Sequence, residues 1–484
     1  MYSYFPSPTG LHTDLYQLTM AYGYWQSGLY QRNACFHLFY RKPPFDGSYV
    51  ITAGLEAAID FIRQFRFGAE DIQYLAGLKG KTGRPLFDES FLNHLQRMKF
   101  SCTIEALPEG TIAYPFTPLL RLEGPIIQAQ LLETGLLNLI NFPSLIATKS
   151  ARIVQAAQGD PVLEFGYRRA QGPDGALNAS RAAYIGGCHA TSNVLAGRAF
   201  NIPVRGTHAH SWVMCFDDEK EAFLAYARSQ PDNCIFLVDT YDTHIGIQHA
   251  IEVGRWLREN GHEMNGIRLD SGDLGELSQT ARQMLDQAGF PDAKIVASND
   301  LDEYRIHQLK ERGAKVQIWG VGTRLATAYE QPALGGVYKL SAITDEQGDW
   351  EPRIKLSEEK IKISTPGRLR VSRYYHPDGR PVGDMIYDID LKTDSRQMVP
   401  YYHDKVVNFE GMIEKPLMQP IFQEGRLVYD PPSIGEIREQ SLKEQEQWRR
   451  IDDPYRHGLE VRLHQKREQM IRAARDNVAL QSKT

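Results

Sequence analysis

The stretch "RGTHAHSWVM" sets His208 and His210 two residues apart, with Thr207 and Ser211 beside them. On a β-strand, residues i and i+2 point to the same side. The pair therefore reads either as a metal clamp or as one reactive imidazole beside a neighbour, and spacing leaves both open. Two acidic stretches accompany it. "LVDTYDT" and "IRLDSGDL" each end an apolar run in Asp and add a second Asp three residues on, giving Asp239 with Asp242 and Asp270 with Asp273. Carboxylates so placed hold Mg2+ through one or two oxygens beside a phosphate substrate, or orient a histidine. Arg268 precedes Asp270 by two residues and offers a cation from the same strand.

Other stretches suit anions or rings. "EFGYRRAQG" places Arg168 and Arg169 just past a strand, where guanidinium forks match phosphate or carboxylate, or simply form surface ion pairs. "IWGVGTRLATA" sets Gly320, Gly322 and Thr323 between a strand and a helix, an arrangement that presents backbone N–H groups to an anion. No Gly-Lys-Ser/Thr follows, so it is not a Walker loop, and the third Gly of a dinucleotide fingerprint is missing. "ASNDL" adds Ser298 and Asn299. In "LHTDLYQLTMAYGYW", Thr13 or Asp14 can cap a helix, and Tyr16 either packs or offers a flat face to a ring.

These residues need a scaffold that gathers strand ends. The runs "DPVLEFGYRR", "NIPVRGTHAH", "NCIFLVDTYDT", "NGIRLDSGDL", "AKIVASNDL" and "KVQIWGVGTR" are short and apolar. Helical segments such as 246–259 and 274–287 lie between them. Such alternation indicates a parallel sheet, and its repetition an irregular (β/α) barrel over 146–341. Polar residues cluster after each strand, at the edge where parallel α/β architectures bind ligands. Ordinary helix caps explain any one of these residues, but less easily six clusters. Residues 1–145 read as an N-terminal α+β part. Residues 342–432 read as a β-rich segment packing on it, with "RIKLSEEKIKISTPGRLRVSRYYH" as hairpin strands. The fold class expected is thus α/β, with a second discontinuous α+β domain drawn from both chain ends. Residues 433–484 read as a charged helical tail, a solvated appendage.

Bulk properties narrow the class. The chain has 484 residues, 55 Lys plus Arg and 60 Asp plus Glu, a formal charge of −5 that argues against a general nucleic-acid binder. Five scattered cysteines without a Cys-x-x-Cys pair suit reduced thiols and a cytoplasmic location. No signal peptide or membrane span is expected, since no run approaches about 18 apolar residues.

The ordered set "TDLYQLTMAYGYW", "EFGYRRAQG", "ATSNVLAG", "GTHAHSWVM", "LVDTYDT", "IRLDSGDL", "ASNDLDEY" and "GVGTRLATA" resembles the nicotinate phosphoribosyltransferase family, from about residue 10 to 341. The pairing of "GTHAHS" with "LDSGDL" is its most specific part. The resemblance implies a type II phosphoribosyltransferase that joins nicotinate to 5-phosphoribosyl 1-pyrophosphate, giving nicotinate mononucleotide and pyrophosphate. ATP hydrolysis is coupled through a phosphohistidine, so the enzyme counts as a C–N ligase in NAD salvage. It also implies Mg2+, a homodimer, and no nucleic-acid or membrane partner.

Carried over by resemblance, His210 is the phosphorylated residue. Tyr16, Thr207 and Arg268 contact nicotinate, with Tyr16 stacking on the ring from a partner subunit. Thr323 contacts phosphoribosyl pyrophosphate, while Ser298, Asn299 and Gly322 are substrate-binding positions. Arg168, Asp239 and Asp270 match positions near the substrates, the two acids serving catalysis and Mg2+. Ser192 stands where nicotinamide-using relatives carry an Asp, and a neutral residue there favours the acid substrate. The family loop often reads "GGFDGTSNV", whereas this chain reads "GGCHATSNV", with His189 in an acidic residue's place.

Three alternatives stand beside this one. A metal-dependent barrel hydrolase would use His208 and His210 with Asp239, Asp270 or His244. A non-catalytic relative would be expected to lose His210 or the acidic strand ends. Quinolinate phosphoribosyltransferase must bind two carboxylates and would not need "GTHAHS".

Overall fold

The computed structural model describes residues 9–391, 395–402, 405–449 and 455–481. The chain divides into two compact units, Met1–Leu145 with Ala333–Thr484, and Ile146–Pro332. Residues 333–341, expected in the barrel, therefore fall in the first unit. The strand Gly336–Thr344 explains why: it pairs antiparallel with Asn33–Tyr40.

The first unit is built on two large sheets, beside a two-stranded one of Val50–Ile51 and Ile112–Ala113. A seven-stranded sheet runs from Trp350–Pro352 and Gly336–Thr344 through Asn33–Tyr40 and Leu120–Pro125 to Thr103–Ala106 and Gln419–Gln423, closing on Arg426–Leu427. Both ends of the chain thus share one sheet. A six-stranded sheet holds Leu369–Tyr375, Pro381–Asp388 and Arg456–Glu460 at its centre. The expected hairpin in "RIKLSEEKIKIS" does not form; residues 353–359 carry no strand and Lys360–Lys362 is a short 3-10 turn. Its run of lysines and glutamates gives alternate apolar residues nothing continuous to cover.

The charged C-terminal segment is not a solvated appendage. Arg456–Glu460 inserts between Pro381–Asp388 and Gln397–Pro400. The helix Ile434–Arg449 is pinned by Glu444, which accepts from the Ile112 N–H at 2.8 Å and from Arg373 Nη1 at 3.1 Å. Arg373 is fully buried and also bonds Asp384 at 2.8 and 3.0 Å, so the mixed charges serve a buried ion network. Residues 450–454 and 482–484 of that segment lie outside the described residues. The helix Leu15–Gln26 forms as expected, burying Leu18 and Ala21 and leaving Tyr16 exposed. Asp14 occupies its N-cap position but makes no capping bond; its carboxylate accepts from Thr134 instead.

The second unit holds an all-parallel six-stranded sheet in the order Ala190–Thr191, Val162–Glu164, Ile318–Val321, Lys294–Ala297, Gly266–Leu269 and Ile235–Leu237. Helices Gly172–Gly186, Thr243–Glu259, Leu274–Gln287 and Glu303–Glu311 follow strands as crossovers. A closed barrel is not formed by strand pairing among the described residues. The expected strand in "NIPVRGTHAH" shrinks to a single Thr191–Val204 bridge. Pro203 has no N–H to donate and restrains Ile202, so a ladder cannot continue through it.

Caps resolve the paired aspartates. Asp242 accepts from the Ile245 N–H at 3.0 Å, and Asp273 from the Gly275 N–H at 2.9 Å. The second Asp of each pair thus caps a helix. The first Asp of each pair is left for the strand end.

Candidate active site

The strand Gly266–Leu269 alternates its side chains, burying Ile267 and Leu269 and directing Arg268 the other way. Three neighbours hold the guanidinium. Its Nε donates to Ser298 Oγ at 2.9 Å, Nη1 to Thr207 Oγ1 at 3.1 Å and Nη2 to Asp270 Oδ1 at 3.0 Å. Ser298 also donates to the same Asp270 oxygen. Each terminal nitrogen carries a second hydrogen, so the fork is oriented and can still meet an anion. The guanidinium carbon lies 5.9 Å from the centre of the Phe165 ring. That ring fits because position 320 is glycine: a Cβ there would come within 2.7 Å of it.

His210 opens the short helix His210–Val213 and is partly exposed. Its Nδ1 lies 3.1 Å from Thr240 Oγ1. Its Nε2 faces Asp239 Oδ1 at 3.9 Å and Asp270 Oδ2 at 3.8 Å, distances of attraction without a hydrogen bond. Asp239 is locked from behind, since Oδ2 accepts from the Asp270 N–H at 2.8 Å and from Ser271 Oγ at 2.6 Å. Its Oδ1 is buried and has no hydrogen-bond partner among the described residues.

His208 is a different kind of residue. It lies in a loop rather than on a strand, so the same-side expectation for the His-x-His pair fails. Its ring is buried beside Tyr226, at 4.9 Å between centres, and beside Phe223 at 5.9 Å. Burial pushes its pKa down to about 4, keeping it neutral. Nε2 accepts from the Leu237 N–H at 3.3 Å, and Nδ1 is directed at the Ala209 carbonyl at 3.5 Å. Neither nitrogen is left for a metal shared with His210.

The remaining predicted positions of this unit, Arg168, Ser192, Asn299, Gly322 and Thr323, follow strands of the same sheet without joining this cluster by a hydrogen bond. Arg168 is exposed on the turn Tyr167–Arg169. Ser192 donates its N–H to the Glu164 carbonyl at 2.9 Å. Asn299 and Asp300 hold left-handed φ values of 92° and 43° directly after Ser298. Gly322 precedes the single turn Thr323–Ala326, whose Arg324 is tied to Asp302 at 3.0 Å. Tyr16 belongs to the first unit. His189 accepts the Val162 N–H on Nδ1 at 3.2 Å. A cavity of about 680 Å3 shares Phe165 and Thr207 with the cluster and runs past Leu163, Ile235 and Val296 to Lys294 at a strand start.

Sequence reasoning gave no role to Phe165, Thr240, Ser271 or Glu164. Thr240 and Ser271 adjoin assigned residues at strand ends, and that adjacency was the available signal; Phe165 ends its apolar run three positions before Arg168. Glu164 gave none, being one acid inside an apolar strand.

Three family models match the chain in order: the nicotinate phosphoribosyltransferase N-terminal domain over residues 11–141, the nicotinate phosphoribosyltransferase family over 161–350, and the C-terminal domain over 368–463. Nicotinate phosphoribosyltransferase of Bacillus subtilis is 43% identical over 476 residues, covering 95% of this chain and 94% of that protein. The human protein of that name is 36% identical over 489 residues, covering 88% and 89%. The crystal structure of human nicotinic acid phosphoribosyltransferase superposes with a TM-score of 0.81 at 32% identity, covering 94% of this chain and 99% of that one.

Proposed function

This chain belongs to the nicotinate phosphoribosyltransferase family, and from that membership we propose that it joins nicotinate to 5-phosphoribosyl 1-pyrophosphate with ATP turnover coupled through His210. The carrying observation is the Thr207–Arg268–Ser298–Asp270 lattice set beside an imidazole flanked by two carboxylates. Nicotinate's carboxylate meets the second hydrogens of the Arg268 fork and the Thr207 hydroxyl, with its ring on Phe165. Tyr16 of a second copy covers the opposite face in a homodimer. Ser192, being neutral, leaves the carboxylate unopposed.

The pyridine nitrogen attacks the anomeric carbon as the bond to pyrophosphate breaks. The ribosyl centre is cationic in the transition state, so positioning matters more than a strong base. Arg168, Asn299 and the backbone N–H groups at Gly322 and Thr323 hold the phosphates. In the coupled half-reaction His210 Nε2 bonds the γ-phosphorus of ATP and ADP leaves; water later cleaves the N–P bond and phosphate departs. The Thr240 contact at Nδ1 leaves Nε2 as the nucleophile. Asp239 Oδ1, buried and unpartnered, and Asp270 Oδ2 fit one or two carboxylate ligands of a hydrated Mg2+. When bound, that ion neutralises phosphate charge. In this reading the six parallel strands are the ordered part of an irregular barrel.

Purified protein is assayed with nicotinate or nicotinamide, with and without ATP. Product from nicotinate, stimulated by ATP, is expected, and labelled ATP should leave acid-labile, base-stable phosphate on His210. Full ATP-coupled turnover by His210→Ala would remove that residue from the mechanism.

A further inference from the structure

Glu164 ends the strand Val162–Glu164 and is 1% exposed, yet it lies on the helix-packed side of a parallel strand, where aliphatic residues are the rule. Alternation explains the side: Leu163 and Phe165 line the cavity, so Glu164 points away from it. Its carboxylate gathers donors from three separate segments. Oε1 accepts from the Gly166 N–H. Oε2 accepts from Ser180 Oγ at 2.8 Å, on the helix Gly172–Gly186, and from Thr191 Oγ1 at 2.6 Å, on the neighbouring strand.

The network continues from there. Thr191 Oγ1 accepts from the Asn193 N–H at 2.9 Å, and Asn193 Nδ2 donates to Ser180 Oγ at 3.2 Å. Ser192 sits between, its N–H on the Glu164 carbonyl at 2.9 Å. Thr191 also takes the Arg205 N–H on its carbonyl at 3.0 Å, just ahead of Thr207. The space is tight, since a Cβ at Gly166 would meet Ala326 Cβ at 2.4 Å. One carboxylate therefore fixes the chain on both sides of Phe165 and the turn that carries Ser192.

We infer that Glu164 is a positioning residue for the pyridine substrate, setting Phe165 against Ser192 without touching the ligand. This rests on the proposed nicotinate reading of the site. It predicts a selective defect. Of the phosphate-facing groups, Asn299, Gly322 and Thr323 hang on other strands, whereas Arg168 follows Gly166 on the same segment, so the ring contacts shift most and the phosphate contacts less. Glu164→Gln keeps the shape but turns an acceptor into a donor that must confront Gly166 N–H or the two hydroxyls. Thr191→Val removes two bonds, the one to Glu164 and the one from the Asn193 N–H, at nearly constant volume, and Thr191→Ser restores the hydroxyl.

Steady-state KM values for nicotinate and for phosphoribosyl pyrophosphate are measured for the wild type and these three variants. In Glu164→Gln and Thr191→Val the nicotinate KM is expected to rise at least about tenfold while the phosphoribosyl pyrophosphate KM, through Arg168 alone, rises no more than about threefold, with Thr191→Ser near wild type. If Glu164→Gln does not fold, the Thr191→Val and Thr191→Ser pair decides alone. Equal rises in both KM values, or no change in Thr191→Val, overturn the inference about Glu164. A wild type without nicotinate turnover overturns the proposed function instead.

Discussion

His210 Nε2 lies 3.9 Å from Asp239 Oδ1, an oxygen that is buried and accepts no hydrogen bond among the described residues. The other oxygen of the same carboxylate is held at 2.8 Å by the Asp270 N–H and at 2.6 Å by Ser271. One side of Asp239 is thus structural and the other faces the imidazole. Asp239→Asn can keep its carbonyl in the structural position and present a neutral amide to His210. Phosphohistidine formation from labelled ATP is expected to fall at least about 100-fold, because the anion facing the reacting nitrogen is gone. Binding of nicotinate, followed by calorimetry, should change little. Wild-type phosphorylation in Asp239→Asn would show that this carboxylate does not assist the step.

Arg268 is oriented by three different partners, so lysine is no substitute for it. A single ammonium cannot reach Thr207, Ser298 and Asp270 at once and still face a carboxylate as a fork. Arg268→Lys is expected to raise the nicotinate KM about 100-fold, and Ser298→Ala about tenfold, charge-assisted hydrogen bonds contributing about 1.5–3 kcal/mol each. Kinetics with nicotinate varied at saturating phosphoribosyl pyrophosphate checks the order. Equal effects from both variants would mean that Ser298 does more than steer Arg268.

The strand ends were legible in the sequence because buried parallel strands are short apolar runs and the next polar residue marks their C-terminal edge. Arg268 and Asp270 were found that way; Thr207 and His210 follow an expected strand that shrinks to one bridge, yet the four meet in the structure. What was not legible follows from physics that has no sequence period. Asp239 and Asp242 look alike in "LVDTYDT", yet only Asp242 receives a helix N–H. His208 and His210 look alike, yet aromatic neighbours from 15 to 28 positions away bury one of them, as the contacts with Phe223, Tyr226 and Phe236 show. The C-terminal segment looked solvated because its charges are mixed, but Glu444 finds its partners at Ile112 and Arg373.

That last contact carries a stability prediction. Glu444→Ala leaves the Ile112 N–H without its acceptor and removes one of two carboxylates facing the buried Arg373. Breaking a buried ionic contact by removing one partner costs about 3–5 kcal/mol, and the lower end applies here because Asp384 remains. A fall in the denaturant midpoint of the first transition is expected. Glu444→Gln, whose amide oxygen can still accept from the Ile112 N–H, should lose less. An unchanged midpoint in Glu444→Ala would mean that the helix Ile434–Arg449 is not needed for the sheet beneath it.

Acid sensitivity follows from the histidines that the fold keeps neutral. Burial lowers His208 to about 4, His457 to about 4 and His37 to about 3. Two of them use the neutral ring as an acceptor, His208 from the Leu237 N–H at 3.3 Å and His37 from the Leu369 N–H at 3.0 Å. In the unfolded chain each titrates near the ordinary value of about 6.5. Between that pH and the folded pKa the unfolded chain binds more protons, so stability is full above about pH 6.5 and is lost as pH falls toward 4. For His208 alone the loss is on the order of 3 kcal/mol once pH is below its folded pKa. Tm measured from pH 7.5 to 4.5 should drop steadily. In His208→Gln, whose amide oxygen can still accept from Leu237 but does not titrate, the slope should be shallower. Parallel curves for wild type and variant would mean that His208 is solvated and protonates in the folded protein as it does in the unfolded chain.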